Sequence, residues 1–234
     1  MIWLNRLFEL PAVPLLAFLA AIAAILWLRH STNAVITRAA GIPSPGQIQG
    51  GAAAIEMLRL SEQSDVRVQP CAGIFANFYD PGVQIIRLSP ACYEGANLAA
   101  LGRAAHEVGH ALQDLQHHSP TPFAARQALA IAARLCLPTA LLLIGVGFVV
   151  GIDSMLSLGL WILPAVATLV AGLSYQLERD ANRRGRQALT LLDCTDEPRL
   201  DGVLNAATWS ELDACLPRLQ ALTTTITGPT QPVA

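Results

Sequence analysis

Two apolar runs, residues 129–150 and 155–175, are separated only by Gly151-Ile-Asp-Ser154. Each approaches the ~20 residues that an α-helix needs to cross the hydrocarbon core of a bilayer. So short a polar joint makes the pair a helical hairpin that crosses and returns. A third run, residues 11–28, stays apolar for 18 residues and stops at Arg29-His30. A cleaved signal peptide has a basic start, a shorter apolar core and an A-x-A site. This run has only Arg6 ahead of it and is long enough to span, so it reads as a retained anchor. The expected fold is a mainly α membrane protein with three transmembrane helices. Composition agrees, because 53% apolar and 14% charged residues are poorly suited to an ordinary water-soluble globule.

The sequence between the spans is of water-soluble type. Gly41-Ile-Pro-Ser-Pro-Gly46 is linker chemistry, and residues 51–61 have helical periodicity. Val66-Arg-Val68 and residues 73–79 read as strands, and Asp80-Pro81-Gly82 turns the chain into a β-branched stretch, residues 83–88. That last segment reads either as an edge strand that aligns an extended peptide by β-augmentation or as an ordinary core strand. Ser89 before Pro90 predicts a helix start, and Asn97 caps a second helix that runs through His106 to Gln116. Beyond the hairpin comes a polar, arginine-rich helix from Glu178 to about Leu192, and residues 223–234 have the composition of a disordered end. The domain reading is an anchor over 1–30, a catalytic part over 31–128, the hairpin over 129–175, a second catalytic part over 176–222, and a tail over 223–234.

Net charge is −2 and no basic run is long enough to track phosphates, so no nucleic-acid partner is expected. Five cysteines (Cys71, Cys92, Cys136, Cys194, Cys215) are an odd number without CxxC spacing. They fit neither a disulfide framework nor a thiolate zinc site, and they suit a reducing compartment.

On the predicted helix stands Ala105-His106-Glu107-Val108-Gly109-His110-Ala111. Residues four apart share a helix face about 5–6 Å apart at Cβ, so His106 and His110 can present nitrogens to one metal ion. Glu107 lies beside them, placed to reach a water rather than the metal. This is zinc-hydrolase spacing: two ligands and a general base, with Zn²⁺ bringing the pKa of water toward about 7. Gly109, costly inside a helix by about 1 kcal/mol, reads either as a point of close backbone approach or as simple tolerance.

A catalytic zinc site needs a third protein ligand. The extended pattern HExxHxxGxxH does not supply it, because Gln113 and Gln116 occupy its Gly and His positions. His117 and His118 fall too far along and read as a solvated helix end. Asp114, one turn after His110, is poorly aimed. The first acidic residue after the hairpin is Glu178, in Glu178-Arg-Asp-Ala-Asn182, and a two-span hairpin returns it to the side that His106 faces. Asp180 is its nearest competitor. Asn182, one turn on, reads as part of a solvated face, with support of a ligand His as the alternative. Leu200-Asp201-Gly202 matches the LDG of intramembrane site-2 proteases, but Asp196, Glu197 and Arg199 beside it do not suit lipid.

These residues resemble the YugP-type neutral zinc metallopeptidases, bacterial membrane proteins. The resemblance rests on Asn77-Phe-Tyr-Asp-Pro81, Ile86-Arg-Leu-Ser89, Ala105 through Gln113, the apolar hairpin, Glu178-x-Asp-Ala181 and Val203-Leu-Asn-Ala-Ala207. A more distant similarity is to HtpX-type membrane proteases, which share the order of motif, hairpin and Glu. The resemblance implies His106, His110 and Glu178 as zinc ligands and Glu107 as the catalytic base. It also implies a peptide or protein substrate, membrane proteins among the candidates.

Arginines near the spans set orientation. Arg29, Arg38, Arg126, Arg179, Arg183, Arg184 and Arg186 lie on one side, against Arg6 alone before the anchor and none in residues 151–154. The expectation is three spans in the bacterial inner membrane and a small α+β zincin-like catalytic domain, of gluzincin-like ligand set, facing the cytoplasm. Tyr79, Tyr93 and Tyr175 are unranked candidates for stabilising an oxyanion. The rival class is a non-catalytic membrane adaptor, against which an intact Glu107 argues.

Overall fold

The computed structural model describes residues 12–72, 77–115, 123–194 and 198–208, without the side chains of 123–127, 129, 130, 176 and 198. The described elements are mostly helical. In chain order they are α1 (Ala12–Ala40), α2 (Gly50–Leu60), β1 (Arg67–Pro70), β2 (Phe78–Asp80), β3 (Ile85–Leu88), α3 (Pro90–Tyr93), α4 (Leu98–Leu115), α5 (Phe123–Val150), α6 (Asp153–Leu191) and α7 (Pro198–Thr208). Three helical stretches are long and apolar enough to cross a membrane: Ala12–Ala40, Ile131–Val150 and Asp153–Leu191. The arginine-rich helix expected to begin near Glu178 is not a separate element. It continues α6, because no Pro or Gly interrupts residues 173–184.

The chain divides into two compact units. One comprises, among the described residues, 12–26 and 128–170. Within it α5 ends where Gly151 takes a left-handed φ of 84°, and the N–H groups of Gly151 and Ile152 both donate to the Gly147 carbonyl, at 2.9 and 3.0 Å. This closes the helix end as a glycine C-cap does. Asp153 then puts a carboxylate in the first turn of α6, where the helix dipole favours it. Small residues let the two helices touch: a Cβ on Gly147 would lie 2.6 Å from the Leu156 nitrogen, and one on Gly159 2.8 Å from the Ala140 oxygen. Packing through small residues suits helices that have no hydrophobic driving force between them in lipid. Leu141, Leu142, Val149, Val150, Leu158 and Leu169 stay exposed on this unit, as an apolar solvent permits.

The other unit, Trp27–Gln127 and Ala171–Ser210, has a water-soluble type of core. Ala53, Ala54, Met57 and Leu58 of α2 bury one helical face together with Leu98, Leu101, Ala104, Ala105 and Val108 of α4. Each fully buried Leu, Ile or Val contributes roughly 1.5–3 kcal/mol relative to exposure. Ile86 and Leu88 of β3 join the same core. Both predicted caps form: Ser89 Oγ accepts from the Cys92 N–H at 3.3 Å, and Asn97 Oδ1 accepts from the Ala100 N–H at 2.9 Å.

The three-stranded sheet has the order β1-β3-β2. β1 runs parallel to β3, with Arg67 opposite Ile85, and β2 runs antiparallel, with Phe78 opposite Arg87. This corrects one expectation. The segment 83–88 is not an edge strand able to accept a peptide, because β3 is paired on both sides. Its buried residues take the centre, and the edges fall to β1 and β2. Of the predicted strand over 73–79, residues 78 and 79 fall in β2, and residues 73–76 lie outside the described ones.

Candidate metal centre

Helix α4 should not bury imidazoles without partners, since a buried polar group left unsatisfied costs several kcal/mol. Yet His106 and His110 are 4% and 5% exposed. Standing one turn apart, they bring their ring centroids to 4.7 Å at a near-perpendicular 84°. Into the space before them α6 delivers Glu178, itself buried. Its Oε2 lies 3.3 Å from Nε2 of His106 and 3.3 Å from Nε2 of His110. One ligand atom from each of the three residues fits within a 4.8 Å group.

These separations can be tested against a metal. Two N or O ligands about 2.0–2.1 Å from a tetrahedral zinc stand about 3.3–3.4 Å apart. Both measured histidine–carboxylate edges match. Two imidazoles and one carboxylate are also a donor set typical of zinc. Electrostatics point the same way. Burial by itself lowers the His106 pKa, but the hydrogen bond and charge of Glu178, helped by Glu107 and Asn182, outweigh it and raise the value to about 9. The buried Glu178 carboxylate that draws a proton onto the ring is the negative group a divalent cation would meet.

Around the three side chains a second layer fixes the geometry. His106 Nδ1 lies 2.7 Å from Asn182 Oδ1, and the Asn182 amide nitrogen donates to Thr208 Oγ1 of α7. An Asn oxygen only accepts, so Nδ1 carries a hydrogen, and Nε2 is the nitrogen turned toward Glu178. The preferred sequence reading of Asn182 as a solvated face is therefore corrected. It is 8% exposed, because the helix turn that aims Glu178 at the histidines aims the fourth residue along at them too.

Asp180 goes elsewhere. It accepts from Gln113 Nε2 at 3.1 Å and from Arg183 and Arg184 at 2.8 Å each, and it is not in the metal-binding group. Gln113 also donates to the Leu177 carbonyl at 3.2 Å, which ties α4 to α6. Gln113 was read as a departure from a longer motif and as the end of the stretch that carries the resemblance; its near-complete burial had no signal in the sequence. Thr208 drew no attention for the same reason.

Gly109 proves to be a site of close approach. A Cβ there would overlap the Ala181 carbonyl oxygen and lie 3.0 Å from the Gly185 nitrogen, while one on Gly185 would overlap the Ala105 carbonyl. Backbone meets backbone where α4 crosses α6.

Glu107 is buried beside His106. The Tyr79 hydroxyl donates to Asp114 at 3.1 Å, and the Tyr93 ring packs on Gly51. Tyr175 lines a cavity of about 860 Å³ with Arg179, Arg183, Asn182 and Thr208 among others, but not with His106, His110 or Glu178. Asp201 of the LDG sequence pairs with Arg186 at 2.9 Å. Gln116, His117 and His118 lie outside the described residues.

Fold and site together define a helical protein with three helices able to cross a membrane and a buried His/His/Glu group suited to zinc. The chain belongs to the family described as "Putative neutral zinc metallopeptidase", which matches residues 14–228. It is similar to the "Putative membrane protease YugP" of Bacillus subtilis (strain 168), with 26% identity over 201 residues, covering 85% of this chain and 88% of that one. No solved structure matches the chain.

Proposed function

We propose that this protein is a membrane-bound zinc endopeptidase, hydrolysing peptide bonds of peptide or protein substrates with a catalytic part, residues 31–128 and 176–222, on the cytosolic side of the bacterial inner membrane. The observation that carries the reading is the pair of 3.3 Å edges from the Glu178 carboxylate to His106 and His110, inside a chain of the zinc metallopeptidase family. His106, His110 and Glu178 would hold the ion. Zinc, when bound, supplies a lowered water pKa near 7 and polarises the scissile carbonyl.

The chain's own residues do the rest. Asn182 holds the His106 ring with its Nε2 lone pair toward the ligand group. Glu107 takes the proton of the attacking water and delivers it to the leaving amine. A scaffold would not need that carboxylate, which separates this reading from a non-catalytic adaptor. The cytosolic orientation is supported by the arginine excess flanking the spans.

The test uses full-length protein in detergent or vesicles. Wild type should bind about one zinc per chain and cleave an unstructured peptide. Glu107→Gln should keep the zinc and lose cleavage, since the amide holds the shape but cannot accept a proton. Wild-type turnover in Glu107→Gln would refute the mechanism, and zinc without cleavage in the wild type would favour the adaptor.

A further inference from the structure

We infer that Thr208, on α7, is a positioning residue for the metal centre, setting the His106 ring through Asn182. The inference rests on the metal-centre reading and adds a third helix to it. When Nε2 of His106 faces a metal, the ring's hydrogen sits on Nδ1 and needs an acceptor. Asn182 Oδ1 is 2.7 Å away. That choice fixes the orientation of the Asn182 amide, so its NH₂ points away from the histidine and needs an acceptor of its own.

Thr208 Oγ1 is that acceptor. A hydroxyl can also donate, which would let the amide turn over and place NH₂ against the ring. Here its single hydrogen has an acceptor on its own helix, the Leu204 carbonyl one turn back in α7, in a long contact of 3.5 Å. A backbone carbonyl can only accept. Every donor and acceptor in the chain is satisfied in one direction, from ring to amide to hydroxyl to helix carbonyl. His106, Asn182 and Thr208 are each at most 8% exposed, so a broken link leaves a buried donor without its partner. The link spans 102 residues of sequence and ties ring orientation to the seating of α7.

The experiment measures zinc affinity of full-length, metal-stripped protein by chelator competition, with the visible spectrum of the Co²⁺ form as a second readout. Thr208→Val keeps the shape and removes the acceptor. It should weaken zinc binding by about 10–100-fold, the usual effect of losing such outer partners, and alter the Co²⁺ spectrum. Thr208→Ser should bind close to wild type. Asn182→Ala should weaken binding similarly, and the Asn182→Ala/Thr208→Val double variant should be no worse than Asn182→Ala alone, because both act on one link. A purely structural role for Thr208 would give additive losses and no rescue by serine. Wild-type affinity in Thr208→Val, additive losses, or a serine variant as weak as the valine one would overturn the inference. Should Thr208→Val not fold, Thr208→Ala against Thr208→Ser makes the same comparison. If the wild type itself binds no zinc, the metal-centre reading falls instead.

Discussion

Replacing Gly109 by Ala tests how the metal centre is built, because two effects of the substitution have opposite signs. Alanine is favoured over glycine in a helix interior by about 1 kcal/mol, so at an open position the change should stabilise α4. At Gly109 the new methyl would overlap the Ala181 oxygen and lie 2.8 Å from the Ala181 carbonyl carbon. Backbone cannot rotate aside as a side chain can. Reaching an ordinary contact near 3.4 Å from the carbonyl carbon alone requires α4 and α6 to part by about 0.6 Å, and the tighter oxygen contact demands more; overpacking of this kind costs about 1–3 kcal/mol. The clash therefore outweighs the propensity gain. The separation also acts on the site. His106 and His110 flank Gly109 on α4, Glu178 lies three residues before Ala181 on α6, and metal distances tolerate only about ±0.2 Å. Gly109→Ala should lower the melting temperature of the full-length protein and lose most of its zinc, measured by plasma mass spectrometry after gel filtration. Gly172→Ala, on α6 where a Cβ meets nothing within 4 Å, should keep both. A Gly109→Ala protein that melts higher than wild type with its zinc intact would refute the reasoning.

Glu178→Ala should lose most zinc and all cleavage, whereas Asp180→Ala should keep the metal and lower stability modestly; the reverse metal contents would reassign the ligand. A chelator such as 1,10-phenanthroline should abolish cleavage and added Zn²⁺ should restore it, as followed with a fluorogenic peptide. A cysteine placed at Ser154 should label with an impermeant maleimide from outside intact cells, and labelling only after lysis would reverse the proposed orientation. Burial pushes the Cys92 thiol up to about 12, and Glu107 adds to that while Arg103 opposes it. At pH 8 it should therefore stay protonated and resist iodoacetamide in the folded protein, and react only on denaturation, as read by peptide mass.

What the sequence made legible was local. Ser89 and Asn97 cap helices through bonds that span three residues, and the His106/His110 pair shares a face by helical geometry alone. The remote partner Glu178 could be named because few acidic residues competed and the hairpin limited where the chain could return. Strand order was not legible. Residues 83–88 are equally apolar and β-branched whether central or at an edge, and only the pairing of β3 with β1 on one side and β2 on the other settles it. Asn182 was misjudged because a polar residue on an arginine-rich stretch has the same sequence signature whether it faces water or a buried imidazole. The same holds for Gln113 and Thr208, whose partners lie 64 and 26 residues away.

The phase of α6 explains why one carboxylate joins the histidines and its neighbour does not. Two residues turn a helix by about 200° and four by about 400°, so Glu178 and Asn182 share a side that Asp180 cannot. A side chain of Glu178's length could still miss its target if α6 rolled or slid. Three contacts oppose that motion. Gln113 grips the Leu177 carbonyl and Asp180 just before and just after Glu178, which resists rolling. The backbone contacts at Gly109 and Gly185 set the distance between helices, and a displacement in either direction meets a carbonyl or opens a gap. The Asn182 bonds to His106 and Thr208 resist sliding by a fraction of a turn. Asp180, held by Arg183 and Arg184 on its own helix as well as by Gln113, is kept from the site by the same phase that delivers Glu178. Removing Asp180 should therefore loosen the roll of α6 before it touches the ligand set, which is why its loss is expected in stability and not in metal content.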